Sequence, residues 1–175
     1  MDTLKDYSIQ FVGLKLGNHS FSYHIDNKFF EVFKYEDFKS IDCKVDLQLV
    51  KKATLIELHF SLTGTVILNC DITNELYEEK IDDILDLIVK FGDVYNDDNE
   101  EVLILPHTEH QLNVAQYIYE AIVFALPIKR THPGLEDGSL KSNVLEKLKE
   151  LEIREQKDID PRWDKLNELL TSKKS

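Results

Sequence analysis

Histidine side chains are the residues of this chain whose type and spacing could support metal or acid–base chemistry. His107 and His110 lie three positions apart in the segment PHTEH, with Glu109 between them. This spacing could supply two zinc ligands if a third came from elsewhere, as in a metal-dependent enzyme that processes nucleic acid. The segment precedes a helix start, however, so the two rings need not share a helical face. Exposed loop histidines are therefore favoured, and we expect no metal, no cofactor and no catalytic residue.

Cys70 is the second candidate for chemistry. It ends an alternating strand pattern and shares the inward parity of that pattern. A nucleophilic thiol needs a low pKa and a nearby base, which its neighbours Asn69 and Asp71 do not favour. A buried structural thiol is therefore expected. The sequence also lacks the glycine-rich phosphate-binding motifs and the nucleophile-elbow motif of common enzyme families.

A basic cluster, Lys129-Arg130-Thr131-His132, follows the clearest helix pattern of the chain. Cations at this end of a helix can compensate its dipole, or they can contact the phosphate backbone of RNA. We take Lys129, Arg130 and His132 as candidate RNA- or partner-binding residues. Arg162 and Trp163, near the end of the chain, are further candidates, although Trp163 could equally pin that segment to the domain.

Acidic residues are concentrated in one stretch. The 175 residues include 33 Asp+Glu and 21 Lys+Arg, for a net charge of -12. Segment 74–101 alone holds eleven of the acids against Lys80 and Lys90. Its run DVYNDDNEE lacks the spacing and the glycine of a calcium loop, so a solvated, flexible acidic loop is expected. The candidate contacts for a basic protein partner are Asp97, Asp98, Glu100 and Glu101.

Composition excludes several classes of protein. The negative charge repels phosphate and argues against a broad DNA-binding face. Hydrophobic residues make up 42% of the chain, which is too many for a disordered acidic tail. Two cysteines cannot build a disulfide framework, and no apolar run approaches the length of a membrane span. We therefore expect a cytoplasmic protein with no membrane partner.

Period-two alternation predicts strands in the first half of the chain. Residues 5–26 are predicted to form an antiparallel pair with a turn at Gly17-Asn18. Residues 43–49 and 56–70 alternate clearly, with Gly64 as a bulge or bend, and 102–105 form a short strand. Two segments are ambiguous. The aromatic segment 28–38 fits a helical turn or extended structure, and 75–92 fits both periods, with a local composition that favours helix.

The second half of the chain is predicted to contain helices. Segment 113–126 is the central helix, with Asn113 as cap, Gln116 completing an approximate capping box, and a stop at Pro127. A loop follows over 127–139. The predicted division is a domain over 1–133 and a charged helical tail over 134–175, which docks through a few apolar residues.

Four ordered pieces of the chain resemble the YceD family, the large ribosomal RNA subunit accumulation proteins, a former domain of unknown function. The pieces are LTGTVILNC (62–70), an acidic insertion, NVAQYIYEAIVFALPIKRTHP (113–133) and DPRWDKLNELL (160–170). Many members carry a second cysteine three residues after the first, often preceded by an arginine, where this chain has Thr73 and Ile72. Some members also have a cysteine-rich segment near the end of the central helix, which suggests a metal. This chain has no such segment, so a metal role in relatives is not carried over.

The resemblance implies a fold and a function. It implies that 78–91 is a strand, against the local helix preference. The fold would then be α+β, with a β-rich antiparallel sheet packed on one central helix, plus a charged helical C-terminal tail. The implied function is a non-catalytic ribosome-biogenesis factor for accumulation or processing of large-subunit (23S) ribosomal RNA. It would bind the rRNA precursor or a basic ribosomal protein. The alternatives are the metal-dependent enzyme using His107 and His110, or a general protein-interaction module.

Overall fold

Alternating apolar residues build a six-stranded sheet in the computed structural model of the chain, which describes residues 4–99, 101–135, 137–140 and 142–155. The strands are β1 (Ser8–Ile9), β2 (Gly17–Ile25), β3 (Ser40–Lys51), β4 (Leu55–Asn69), β5 (Leu76–Gly92), β6 (Asn96–Asn99), β7 (Val102–Pro106) and β8 (Leu112–Asn113). The helices are α1 (Asn27–Phe33), α2 (Ala115–Ala125) and α3 (Asn143–Glu155). The strand order is β2-β3-β4-β5-β7-β6, and β1 pairs separately with β8. All pairs are antiparallel except β5 with β7. The predicted α+β class is confirmed.

The central strands β3 and β4 bury every second side chain. In β3 the buried residues run from Ile41 to Leu49, and in β4 from Ile56 to Leu68. Cross-strand partners lie on the same face of the sheet. Leu47 therefore lies beside Phe60, and Phe60 beside Leu85, on its apolar face. The other face carries polar side chains and is open to solvent, which is the usual arrangement of an antiparallel sheet with one buried face.

The ambiguous segment 75–92 is strand β5, as the family resemblance implied. Its helix-favouring composition is overridden because the segment lies between β4 and β7 and pairs with both. Tyr77, Ile81, Leu87 and Val89 are buried on its inner face. Ile84, which would lie on the apolar stripe of a helix with Ile81, Leu85 and Ile88, is on the outer face and 71% exposed.

Gly64 does not form the predicted bulge. The ladder runs without a register shift through Cys43↔Gly64 and Gly64↔Ile81. A Cβ atom at position 64 would lie 2.4 Å from the Asp42 carbonyl oxygen and 2.6 Å from Cys43 Cα. The glycine is therefore needed for close approach of β3, not for a bend.

The predicted pairing within residues 5–26 is wrong. β1 pairs with β8, more than a hundred positions away, and β2 pairs with β3. The Asn113 side chain donates to the Leu4 carbonyl at 2.7 Å and to Ser8 Oγ at 3.0 Å. Burial of Ile9 and Phe11 in the common core adds to these bonds. Long-range contacts of this kind leave no local pattern to read.

The aromatic segment begins as helix α1. The Asp26 carboxylate accepts a hydrogen bond from the Lys28 N–H at 3.0 Å and caps the helix. Phe29 and Phe30 are buried beneath it. The Phe33 ring stacks on Tyr119 of α2 with centroids 4.4 Å apart, so α1 and α2 share one aromatic cluster on the inner face of the sheet.

Helix α2 is close to its predicted position. The N-cap residue is Val114 and not the predicted Asn113, which ends β8, although Asn113 Oδ1 accepts from the Ala115 N–H at 2.9 Å. The capping box is not formed, because the Gln116 amide donates to Glu120 instead. Ile118 and Ile122 face the sheet and are fully buried, and the helix ends two residues before Pro127.

The predicted tail is described only as far as Glu155. Residues 127–135 and 137–139 lie in a loop that contains a 3₁₀ turn at Pro133–Leu135. Helix α3 follows, with Leu148 and Leu151 exposed rather than docked. The second predicted helix, around 160–170, lies outside the described residues, and the division at 133/134 stays a prediction. None of the helices in the described part of the chain has the length and hydropathy needed to cross a membrane.

Candidate functional site

The predicted basic corner lies where the segment after α2 meets the ends of β3 and β4. The Arg130 guanidinium donates to the Asp37 carbonyl at 2.8 Å and lies 3.7 Å from the Asp37 carboxylate. The Arg130 N–H donates to the Asp71 carboxylate at 2.8 Å, and the Asp71 N–H donates back to the Arg130 carbonyl. Arg130 therefore ties three segments together with only 22% of its side chain exposed.

His132 is also engaged within the fold. Its N–H donates to Cys70 Sγ at 3.4 Å, and its Nδ1 accepts from the Gly134 N–H at 2.9 Å. Its ring packs on the ring of Tyr77 with centroids 5.8 Å apart. Of the three predicted residues in this corner, Lys129 is the exposed one. Contact of this corner with RNA stays a prediction.

Cys70 is a buried, free thiol, as predicted. Its electrostatics differ from the expectation drawn from its neighbours. Burial raises the pKa of Cys70, but hydrogen bonds from the Thr73 side chain and from the backbone N–H groups of His132, Thr73 and Ile72 outweigh burial and lower it. The lowered pKa therefore depends on hydrogen-bond donors from two places: the turn that follows Cys70 and the segment after α2. Cys43, which has fewer such donors, has a pKa raised by burial to about 11.

The acidic run forms a strand rather than the predicted flexible loop. Its residues 96–99 are β6, which pairs with β7 at the edge of the sheet. Asp97 accepts from the Tyr95 hydroxyl at 2.9 Å, and Asp98 accepts from the Asn96 amide at 2.8 Å. Asn99 Oδ1 accepts from the N–H groups of residues 101 and 102 and closes the turn into β7. Backbone pairing therefore holds the acidic side chains on a defined edge.

The acidic side chains on this edge are accessible from solvent. Asp97, Asp98 and Glu101 are all exposed, and Glu100 lies outside the described residues. Two further exposed acids, Asp82 and Asp86, belong to β5 and lie on the open face of the sheet. The Asp86 carboxylate lies at hydrogen-bond distance, 2.6 Å, from His59 Nδ1. We call the exposed carboxylates of residues 97, 98 and 101 the acidic edge.

A groove of about 890 Å³ lies beside the acidic edge, between α2 and the inner face of β5 and β7. Its floor is apolar and consists of Leu85, Leu87, Leu103, Leu105, Leu112 and Ala121. Aromatic side chains form its walls: Tyr95, Tyr117 and Phe124. Asp97, Glu109 and Glu120 also line it, and no basic side chain does so among the described residues.

The tyrosines of the groove are held in their neutral form. Burial, with the neighbouring Tyr95, Asp97 and Glu120, raises the pKa of Tyr117. Burial and the hydrogen bond to Asp97 raise the pKa of Tyr95. The groove therefore presents apolar surface, neutral phenols and carboxylates, which suits an apolar ligand that carries positive charge.

His107 and His110, the histidines considered for a metal site, do not line the groove, although Glu109 between them does. The His107 ring stacks on Phe91 with centroids 6.3 Å apart, and the His107 N–H donates to the Gly92 carbonyl. Within the described ranges, no group of three or more His, Cys, Asp or Glu side chains is placed to hold a metal ion. Arg162 and Trp163 lie outside the described residues.

Sequence reasoning did not find the groove. Its floor comes from β5, β7, β8 and α2, and each contributes only one or two residues. One signal was available at Phe124, which falls outside the apolar stripe of α2 and is 79% exposed. A large aromatic residue on the open side of a helix indicates a surface that is covered by something else.

The comparisons with known proteins give one family. No curated protein and no solved structure matches the chain significantly. The family model described as "Large ribosomal RNA subunit accumulation protein YceD" matches residues 58–170, which is more than half of the chain and includes β5, the acidic edge and α2. The chain therefore belongs to the YceD family, whose description places its members in the accumulation of large-subunit ribosomal RNA.

Proposed function

We propose that this protein supports accumulation of large-subunit ribosomal RNA in the cytoplasm, without catalysis, by holding a basic ribosomal protein on its acidic edge. The observation that carries the proposal is the fixed row of exposed carboxylates on β6 and in the turn that follows it. Ribosomal proteins that bind rRNA are rich in Lys and Arg, and an acidic surface can hold such a protein until RNA takes its place.

A protein partner is favoured over direct RNA binding on electrostatic grounds. The net charge of -12 repels phosphate at long range. Two of the three basic-corner residues, Arg130 and His132, make internal hydrogen bonds. Lys129 remains exposed, but a single lysine provides little of the phosphate neutralisation that RNA affinity needs.

An exposed ion pair contributes roughly 0.2–1 kcal/mol. Loss of four such pairs should therefore weaken binding by about fourfold to several hundredfold. Affinity should also fall steeply as salt is raised, since the pairs are exposed and screened.

The test measures binding of the full chain to each purified large-subunit ribosomal protein at low and physiological salt. The edge variant combines Asp97→Asn, Asp98→Asn, Glu100→Gln and Glu101→Gln, which keeps side-chain oxygens as acceptors. The control variant removes the same number of charges from exposed sites elsewhere: Glu31→Gln, Glu36→Gln, Glu146→Gln and Glu150→Gln.

The proposal expects at least one ribosomal protein to bind and to lose affinity with the edge variant only. Equal effects of the two variants would show that net charge, and not the acidic edge, sets the affinity. If no ribosomal protein binds, and Lys129→Glu instead reduces retention of rRNA precursors, direct RNA binding replaces this proposal. Lys129 alone is changed in that arm because changing Arg130 would also break its bonds to Asp37 and Asp71.

A further inference from the structure

The groove beside the acidic edge leaves apolar surface uncovered on the inner side of the sheet. Phe124 is 79% exposed and Tyr95 51% exposed at its walls, above buried leucines of β5 and β7. Helices α1 and α2 cover the inner face over the other strands, as the shared aromatic cluster shows. One more amphipathic helix on the open side of α2 would complete this layer.

The chain itself carries a segment that fits. In DPRWDKLNELLTS (160–172), Trp163, Leu166 and Leu170 recur at helical spacing. Asp160-Pro161 provides a helix-start signal before them. Arg162 flanks this stripe, whereas Asp164, Lys165 and Glu168 fall on the opposite side of such a helix. Arg162 complements the carboxylates that line the groove, Asp97, Glu109 and Glu120.

We propose that residues 160–172 dock in this groove as a helix, with Trp163 as the aromatic anchor. The inference does not depend on the proposed function, because groove and segment belong to one chain. The seven residues between Glu155 and Trp163 can extend over up to about 28 Å. The expected radius of gyration of a domain of this size is only roughly 14 Å. Tethering also gives the segment an effective concentration on the order of millimolar, so a modest intrinsic affinity suffices.

The sequence offers a direct reporter, because Trp163 is the one tryptophan of the chain. The experiment records its fluorescence emission and its quenching by acrylamide in the full-length protein over a range of protein concentrations. Docking predicts blue-shifted emission, weak quenching and no dependence on concentration. Emission like that of free indole would overturn the proposal. Burial that depends on concentration would do so too, since it indicates a second copy as the occupant.

Two substitutions in the domain locate the binding surface. Phe124→Glu places a charge on the groove wall and should lower the docking equilibrium constant by about tenfold or more. The emission should then shift to longer wavelength. Ile128→Glu is the matched control, since Ile128 is fully exposed, does not line the groove and lies four positions away. The Trp163 emission of the Ile128→Glu variant should match that of the wild type. If both variants shift the Trp163 emission equally, or if neither shifts it, Trp163 does not lie in the groove and the proposal is wrong.

A change in the segment itself guards against misfolding of the domain variant. Leu166→Asp should expose Trp163 as Phe124→Glu does, while the far-ultraviolet circular dichroism and the thermal unfolding of the domain show that it remains folded. If Trp163 stays buried when Leu166 is replaced, the predicted helical face does not make the contact and the proposal is wrong.

Discussion

Replacement of Gly64 by alanine should destabilise the protein more than its small size suggests. Gly64 lies in the middle of β4, with a strand paired on either side. An added Cβ would lie 2.4 Å from the Asp42 carbonyl oxygen, whereas such atoms normally stay about 3.3 Å apart. The strands must therefore separate locally by roughly 0.9 Å.

This separation determines the size of the effect. A ladder hydrogen bond of about 2.9 Å would lengthen to roughly 3.8 Å and be lost. Two such bonds contribute about 1 kcal/mol each, and strain in the surrounding core adds about 1–2 kcal/mol. We expect Gly64→Ala to lower the free energy of unfolding by roughly 3–4 kcal/mol.

Urea unfolding followed by circular dichroism measures this difference directly. Gly13→Ala is the control, because no atom lies within 4 Å of a Cβ built there. Its free energy of unfolding should stay within about 0.5 kcal/mol of the wild type. A Gly64→Ala protein within about 1 kcal/mol of the wild type would refute the close-approach explanation and leave Gly64 replaceable.

Three further changes test other parts of the fold. Asp26→Ala removes the cap of α1 and should lower the free energy of unfolding in urea by about 1 kcal/mol, whereas Asp26→Asn keeps an acceptor and should change it little. Equal losses in the two variants would mean that the cap does not stabilise the protein. Arg130→Met removes the guanidinium that bonds Asp37 and should lower the free energy of unfolding in urea by about 1–3 kcal/mol. Lys129→Met should lower it by less than about 0.5 kcal/mol. The reverse order would contradict the structural role of Arg130. Burial, and to a smaller extent Tyr7, raise the pKa of Tyr23 to about 12, while the unfolded phenol ionises near 10.0. The stability this provides is present below pH 10 and is lost as pH rises toward 12. Tyr23→Phe should flatten part of this decline, and an unchanged slope in its unfolding free energy would rule out the contribution of Tyr23.

The sequence predicts those elements whose pattern is local. The alternation of 56–70 gives β4, since one face of that strand is buried along its whole length. The limits of α2 are predicted to within two residues, by Asn113 before Val114 and by Pro127 after Ala125, because caps and stops act through neighbouring backbone groups. Segment 75–92 could not be decided by composition, as its pairing with β4 and β7 determines its state.

The parts that failed depend on distant partners. Strand β1 pairs with β8 and not with β2, which follows it in sequence. The candidate site shows the same limit. Arg130 was chosen for its charge, but its partners Asp37 and Asp71 come from two other segments. The acidic run was expected to be loose because nothing nearby indicates its pairing with β7.

The order of strands in the sheet has a consequence for fragments of this protein. The family match begins at residue 58, inside β4, whereas β2 and β3 lie before it and complete one side of the sheet. A fragment cut to the matched residues would turn β4 into an exposed edge with unpaired N–H and C=O groups along most of its length. Such long, flat, apolar edges recruit other chains. The matched region should therefore aggregate when expressed alone, and adding back residues 1–57 as a separate peptide should restore its solubility.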